Sequence, residues 1–204
     1  VSLSGPFATT QLVVTGRLVD GRTVDLTRSV RFEPAGDSVK PLVSAGPGGL
    51  LRPLADGQGS LRVVAGDGPK AVSVAVPISV LGVGGLPDVD FVRDVNPVLA
   101  KLGCNQGTCH GAAKGKGGFK LSLRGYDPIF DVRAFTDDHA SRRVNLASPD
   151  DSLMLLKASA TAPHAGGLLA KVEEPGYQIL RRWIEQGARL SLDTPRVTGI
   201  KIFP

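Results

Sequence analysis

Val72-Ser-Val-Ala-Val-Pro-Ile-Ser-Val80 places an apolar residue at every second position, whereas Phe91-Val-Arg-Asp-Val-Asn-Pro-Val-Leu99 spaces its apolar residues by three and four. Side chains alternate faces along a strand and return to one face every 3.6 residues along a helix, so the first stretch reads as strand and the second as helix. Between them, Gly82, Gly84, Gly85 and Pro87 read as a linker. The change of period predicts a multidomain chain. An all-β sandwich covers residues 1–84, an all-α domain covers 85–192, and residues 193–204 begin a further repeat or form a tail.

The strand pattern extends toward the N-terminus. Leu12, Val14 and Leu18 share a parity interrupted by Gly16, Asp20-Gly21 supplies a tight turn, and Val24 and Leu26 continue beyond it. Val30 and Phe32 keep the alternation up to Pro34, and Leu61 and Val63 resume it. Short strands separated by turn signals point to a sandwich. The stretch Leu12-Val-Val-Thr-Gly-Arg-Leu-Val-Asp-Gly-Arg-Thr-Val-Asp-Leu26 resembles the bacterial Ig-like domains of the Big family. That resemblance implies a spacer or adhesion module without chemistry, and the segment contains neither Cys nor His.

Toward the C-terminus three helices are expected. The first runs from Phe91 to Gly103 behind a cap at Asp88 or Asp90, with a kink or restart at Pro97. The second begins at Ser148-Pro149-Asp150-Asp151, with Ser148 as cap, Pro149 at the first helical position and Asp151 closing a capping box before Leu153 to Leu156. The third covers Glu174 to Gln186, with Tyr177, Leu180, Trp183 and Ile184 on one face and Gly187 ending it. Val197 to Pro204 echoes the opening Val1 to Pro6, which favours a second Ig-like repeat over a tail packed on the helices.

Bulk properties narrow the function classes. The 204 residues are 42% apolar and 21% charged with a formal charge of +5, the profile of a globular chain with room for two cores. Lys114, Lys116, Lys120 and Arg124 cluster without an intervening acid, but a nucleic-acid interface calls for a longer basic stripe with interleaved aromatics, so no nucleic-acid partner is expected. The longest apolar run, Ala71 to Leu86, contains Pro77 and alternates, which argues against direct membrane insertion. Val1 opens the sequence without the charged, apolar and cleavage regions of a signal peptide, and the chain is expected to belong to a longer polypeptide.

The two cysteines lie in Cys104-Asn-Gln-Gly-Thr-Cys109, and His110 follows directly. Paired cysteines ending in Cys-His are the signature of covalent c-type haem attachment. Two thiols bond the porphyrin edge as thioethers, and the adjacent imidazole reaches the iron as proximal ligand. The spacing is C-x4-C-H rather than the usual C-x2-C-H, so two extra residues must bulge outward, helped by Gly107. A plain disulfide, a zinc site with one more His, and buried free thiols are the competing readings of the same residues.

Phe91 to Leu99, Gly103-Cys-Asn-Gln-Gly-Thr-Cys-His-Gly111 and Trp183-Ile-Glu-Gln-Gly-Ala188 together resemble the cytochrome c-like domains of large planctomycete surface or periplasmic proteins. The resemblance covers about residues 88 to 190. It implies an all-α cytochrome c-like fold, haem c held by Cys104, Cys109 and His110, electron transfer rather than enzymatic turnover, and a periplasmic or otherwise extracytoplasmic location. The partner would be a redox protein or another domain of a larger parent polypeptide.

For the sixth iron ligand the candidates are His164, Met154 and His139. His164 lies in Ala162-Pro163-His164-Ala165-Gly166-Gly167, before the last helix, where the distal ligand of the resembled fold enters. Met154 sits in an apolar run that favours core packing, and His139 sits among charges in Thr136-Asp-Asp-His-Ala-Ser-Arg-Arg143, a solvated setting. The expectation is bis-His ligation by His110 and His164. An open distal site would instead make a haem enzyme or gas sensor, and loss of the haem reading would leave a zinc- or disulfide-stabilised interaction module. No Ser/His/Asp set or paired carboxylates stand out, and Gly115, Gly117 and Gly118 read as a flexible Lys/Gly loop rather than a phosphate cradle.

Overall fold

The computed structural model describes residues 1–35, 41–46, 48–139, 142–194 and 197–202. The chain divides into two compact units, Val1–Pro87 and Asp88–Pro204.

The first unit is built from β1 (Ser2–Ser4), β2 (Thr10–Gln11), β3 (Thr15–Arg17), β4 (Thr23–Asp25), β5 (Val30–Ala35), β6 (Val43–Ala45), β7 (Leu50–Pro53), β8 (Gly57–Ala65) and β9 (Val72–Leu81). One sheet has the order β1-β9-β8-β5, a second β2-β7-β6, and β3-β4 form a hairpin. Asp20-Gly21 lies in that hairpin's loop, where the Leu18 amide donates to the Arg22 carbonyl at 2.8 Å. Leu3, Leu61, Ile78 and Val80 from the larger sheet meet Val43 and Leu51 from the smaller one in a shared core. Burying each such side chain contributes roughly 1.5–3 kcal/mol. Pro34 sits on the edge strand β5, where its missing N–H costs least.

The second unit departs from expectation. It is not an all-α cytochrome c-like domain, so the predicted class of a sandwich followed by an all-α domain does not hold. Its α-helices are short: α1 (Asn96–Lys101, 6 residues), α2 (Pro128–Thr136, 9), α3 (Leu153–Ala158, 6) and α4 (Pro175–Glu185, 11). A π-helical turn at Phe91–Val95 and 3-10 turns at Leu123–Gly125 and Pro149–Asp151 complete the regular helical structure among the described residues. Glycine supplies the physical reason. Gly103, Gly115, Gly117, Gly118 and Gly125 all adopt positive φ between α1 and α2, a conformation that a helix cannot continue through.

The expected helix from Phe91 is present as continuous helical backbone to Lys101; it changes from π to α at Asn96, beside Pro97 where a kink or restart is expected, and stops two residues early because Gly103 has positive φ. Asp90 caps it, accepting from the Arg93 amide at 2.8 Å. The wide turn then feeds α1 with Pro97 in its first turn, where no donor is demanded of it. Ser148 does not cap the next helix. Its hydroxyl donates to Asp151 Oδ2 at 2.6 Å, Pro149–Asp151 form the 3-10 turn, and α3 starts after Ser152. Helix α4 buries Tyr177, Leu180, Trp183 and Ile184. It ends in a Schellman motif, with the Gly187 amide donating to the Ile184 carbonyl and the Ala188 amide to the Trp183 carbonyl, both at 2.9 Å. Residues 193–194 and 197–202 form neither helix nor strand, and Val197, Ile200 and Ile202 are exposed.

Candidate functional site

Cys104 is placed by the end of α1. Gly103, at φ 80°, occupies the left-handed position, its amide donates to the Ala100 carbonyl at 3.2 Å, and the Cys104 amide donates to the Leu99 carbonyl at 2.9 Å. These two bonds form a second Schellman motif, so the first cysteine sits just past a capped helix end. The loop then turns back on itself, with the Cys109 amide bonded to the Gln106 carbonyl at 2.9 Å and the His110 amide to the Cys104 carbonyl at 3.0 Å. Gln106, Gly107 and Thr108 are exposed, whereas Asn105 is buried with its side-chain amide unpaired. Gly107 has no positive φ; the left-handed residue of this segment is Gly103. Gly111 is fitted against the same loop, because a Cβ there would come within 2.2 Å of the Asn105 carbonyl oxygen.

His110 is half-buried, and its Nδ1 lies 3.0 Å from the Phe119 carbonyl oxygen. A carbonyl only accepts, so Nδ1 carries the proton and Nε2 keeps its lone pair. Burial pushes the imidazole pKa below its ordinary 6.5, against hydrogen bonds to backbone that raise it. The Phe119 carbonyl is delivered by Lys116-Gly117-Gly118-Phe119, in which the Lys116 amide donates to that carbonyl at 2.9 Å and the Phe119 amide returns a bond at 3.2 Å. Gly117 and Gly118 have φ of 60° and 73°, as a type I′ turn requires. The expected flexible Lys/Gly loop is thus a hydrogen-bonded tight turn.

His164 repeats the arrangement: its Nδ1 lies 3.2 Å from the Gly167 carbonyl oxygen, which again leaves Nε2 free. The Lys157 ammonium donates to the Pro163 carbonyl and ties this loop to α3. Gly166 makes room for the ring, since a Cβ there would approach His164 Cε1 to 2.7 Å.

Cys104, Cys109, His110, Met154 and His164 all line one cavity of about 670 Å³. That volume lies within the roughly 300–1,000 Å³ spanned by small-molecule and cofactor sites. Met154 is half-buried on this wall. His139, although exposed, also borders the cavity, at φ 56°. Lys101, Lys116, Arg142, Arg143 and Lys157 line it too, and among the described residues no carboxylate does. Burial raises the Cys104 thiol to about 11, so it is held protonated at neutral pH, and the two cysteines are not joined to each other. Among the described residues no three His, Cys, Asp or Glu side chains converge closely enough to hold a bare metal ion.

Sequence reasoning left several of these contributors aside. Helix α2 was signalled by Asp127-Pro128: Asp127 Oδ1 accepts from the Phe130 amide at 3.0 Å, with Pro128 at the first helical position. Phe119, Phe135 and Trp183 follow one another behind His110 in tilted and edge-to-face contacts, with ring centroids 4.7 Å (His110–Phe119), 5.1 Å (Phe119–Phe135) and 6.1 Å (Phe135–Trp183) apart. No local pattern announces that series, because its members come from three separate segments.

Compared with known protein families and with curated proteins, the chain matches none.

Proposed function

We propose that this chain holds one covalent haem c and carries single electrons, with Cys104 and Cys109 as the attachment residues, His110 as proximal ligand and His164 as distal ligand. The observation that carries the proposal is the lining of one cofactor-sized cavity by both thiols and by two imidazoles whose Nδ1 atoms are each tied to a backbone carbonyl. The residues present fit the group. Each thiol would add across a vinyl group, sulfur bonding one carbon and hydrogen the other, so attachment consumes no oxidant or reductant. The carbonyl bonds orient both rings and raise their basicity as ligands. The lining cations suit a ligand bearing carboxylates. Bound there, haem would supply a one-electron ferric/ferrous couple, its potential kept low by two imidazole ligands.

Were His110 and His164 both to hold the iron, no open position would remain for a substrate, which favours a carrier over an enzyme. The partner is then a redox protein or another domain of a larger parent polypeptide, in a periplasmic or otherwise extracytoplasmic setting. Among the described residues no helix is long and apolar enough to cross a membrane.

The test is expression together with haem-attachment machinery, followed by denaturation and extraction with acidified acetone. Haem should stay with the polypeptide. Complete extraction, or no haem bound at all, overturns the proposal, and a high-spin native spectrum replaces the carrier with a haem enzyme or gas sensor.

A further inference from the structure

Arg143 is the buried cation on the cavity wall, and its contacts converge on the turn that holds His110. Its guanidinium carbon lies 4.3 Å from the centroid of the Phe119 ring. One terminal nitrogen donates to the Ala134 carbonyl at 2.7 Å and to Asp138 Oδ2 at 3.1 Å, and the other donates to the Gly118 carbonyl at 3.2 Å. The planar fork thereby bridges α2 and its C-terminal end to the Gly117-Gly118 turn. A lysine ammonium, a single point charge, cannot span these acceptors at once. Phe119 in turn packs against the His110 ring, with centroids 4.7 Å apart and planes tilted by 50°, and supplies the carbonyl for its Nδ1 proton.

We infer that Arg143 is the positioning residue for His110, acting through Gly118 and Phe119 to fix the imidazole in its Nδ1–H form with Nε2 available to a ligand. Glycine at both turn centres makes the turn conformationally permissive, so a clamp outside the turn is what keeps its geometry single. An interaction spread over a stacked ring and two carbonyls holds both position and orientation, which one hydrogen bond does not. The importance of Nε2 rests on the haem reading; the clamp itself does not.

The experiment therefore uses the full chain without haem and follows the His110 ring nitrogens by ¹⁵N NMR, together with hydrogen exchange at the Lys116 amide. Wild type should show a single Nδ1–H tautomer. Arg143→Met should give mixed tautomers and speed Lys116 exchange on the order of tenfold, the scale of losing a charge-assisted hydrogen bond. Arg143→Lys should recover part of both, since it retains the charge over Phe119. A folded Arg143→Met protein with the wild-type tautomer and exchange overturns the inference. Should both variants lose their near-ultraviolet circular dichroism, the wild-type chain is warmed instead: the His110 Nδ1 proton and the Lys116 amide should lose protection together with the Arg143 guanidinium protons, and outlasting them overturns the inference. Failure to bind haem would sink the proposed function and leave these readouts standing.

Discussion

The Phe119 carbonyl oxygen lies 3.0 Å from His110 Nδ1, and it also accepts from the Lys116 amide at 2.9 Å. One acceptor thus closes a tight turn and selects the tautomer of the imidazole that follows the second cysteine. The geometry of the candidate ligand is tied to the stability of a glycine turn.

Gly115→Ala and Gly117→Ala should therefore differ. Both positions have positive φ, at 66° and 60°, which alone costs an L-residue about 1–2 kcal/mol. A Cβ on Gly115 would also come within 2.2 Å of the Phe119 carbonyl oxygen, whereas one on Gly117 meets nothing within 4 Å. Thermal melts should show Gly117→Ala losing only the backbone amount and Gly115→Ala clearly more, with haem incorporation impaired only in Gly115→Ala. Equal losses would mean that the carbonyl can move freely.

In the haem-loaded protein, His164→Ala should convert ferric haem to high spin and let cyanide or carbon monoxide bind readily, while Met154→Leu leaves the spectrum unchanged. Gly166→Ala should act in the same direction as His164→Ala but less completely, because its methyl would press on the ring at Cε1. Opening of the site by Met154→Leu would reassign the distal ligand and raise the expected potential.

At pH 8 the Cys104 thiol, with its pKa near 11, should be ionised in about one molecule in a thousand. Alkylation by iodoacetamide, followed by peptide mass spectrometry, should be slow at Cys104 and accelerate about tenfold per pH unit up to that value. Rapid labelling of Cys104 at pH 7 in the folded chain would contradict its burial.

Acid should destabilise the second unit partly through His110. Because burial holds its folded pKa below 6.5, the unfolded chain takes up that proton first. The contribution is absent well above pH 6.5, stability falls as pH drops from 6.5 through the lowered value, and the loss levels off below it. His110→Gln should flatten that part of the denaturation profile against pH. An unchanged profile would assign the loss to other groups.

Asp131 anchors the segment that follows the turn: its Oδ1 accepts from the Ser122 amide at 2.5 Å and its Oδ2 from the Ser122 hydroxyl at 2.6 Å, all buried. Asp131→Ala leaves that buried amide unpaired and should cost about 1–3 kcal/mol in denaturant unfolding. A neutral substitution would show that the segment repacks.

Several features were readable from sequence because their causes are local. Period-two runs form β5, β8 and β9, Asp20-Gly21 lies in a hairpin loop, Asp90 caps the first helical turn, and Tyr177, Leu180, Trp183 and Ile184 line the buried face of α4. The adjacency of Cys109 and His110 is likewise written in the chain. Gly103 after α1 and Asp127-Pro128 before α2 were equally local signals, and reading them would have shortened the first helix and added another.

What sequence left undetermined depends on which segments meet. Helical starts do not set helical lengths, and left-handed glycines after α1 replaced the expected all-α domain with short helices and long connections. The company His110 keeps was also beyond reach. Phe119 follows it by nine residues and Arg143 lies much further on, and α2 folding back brings them together. Periodicity and capping act over one or two turns of chain, so they specify elements. Ring packing, burial and the sharing of a carbonyl act through space, so only the folded chain decides that a glycine turn, an arginine and an imidazole form one unit.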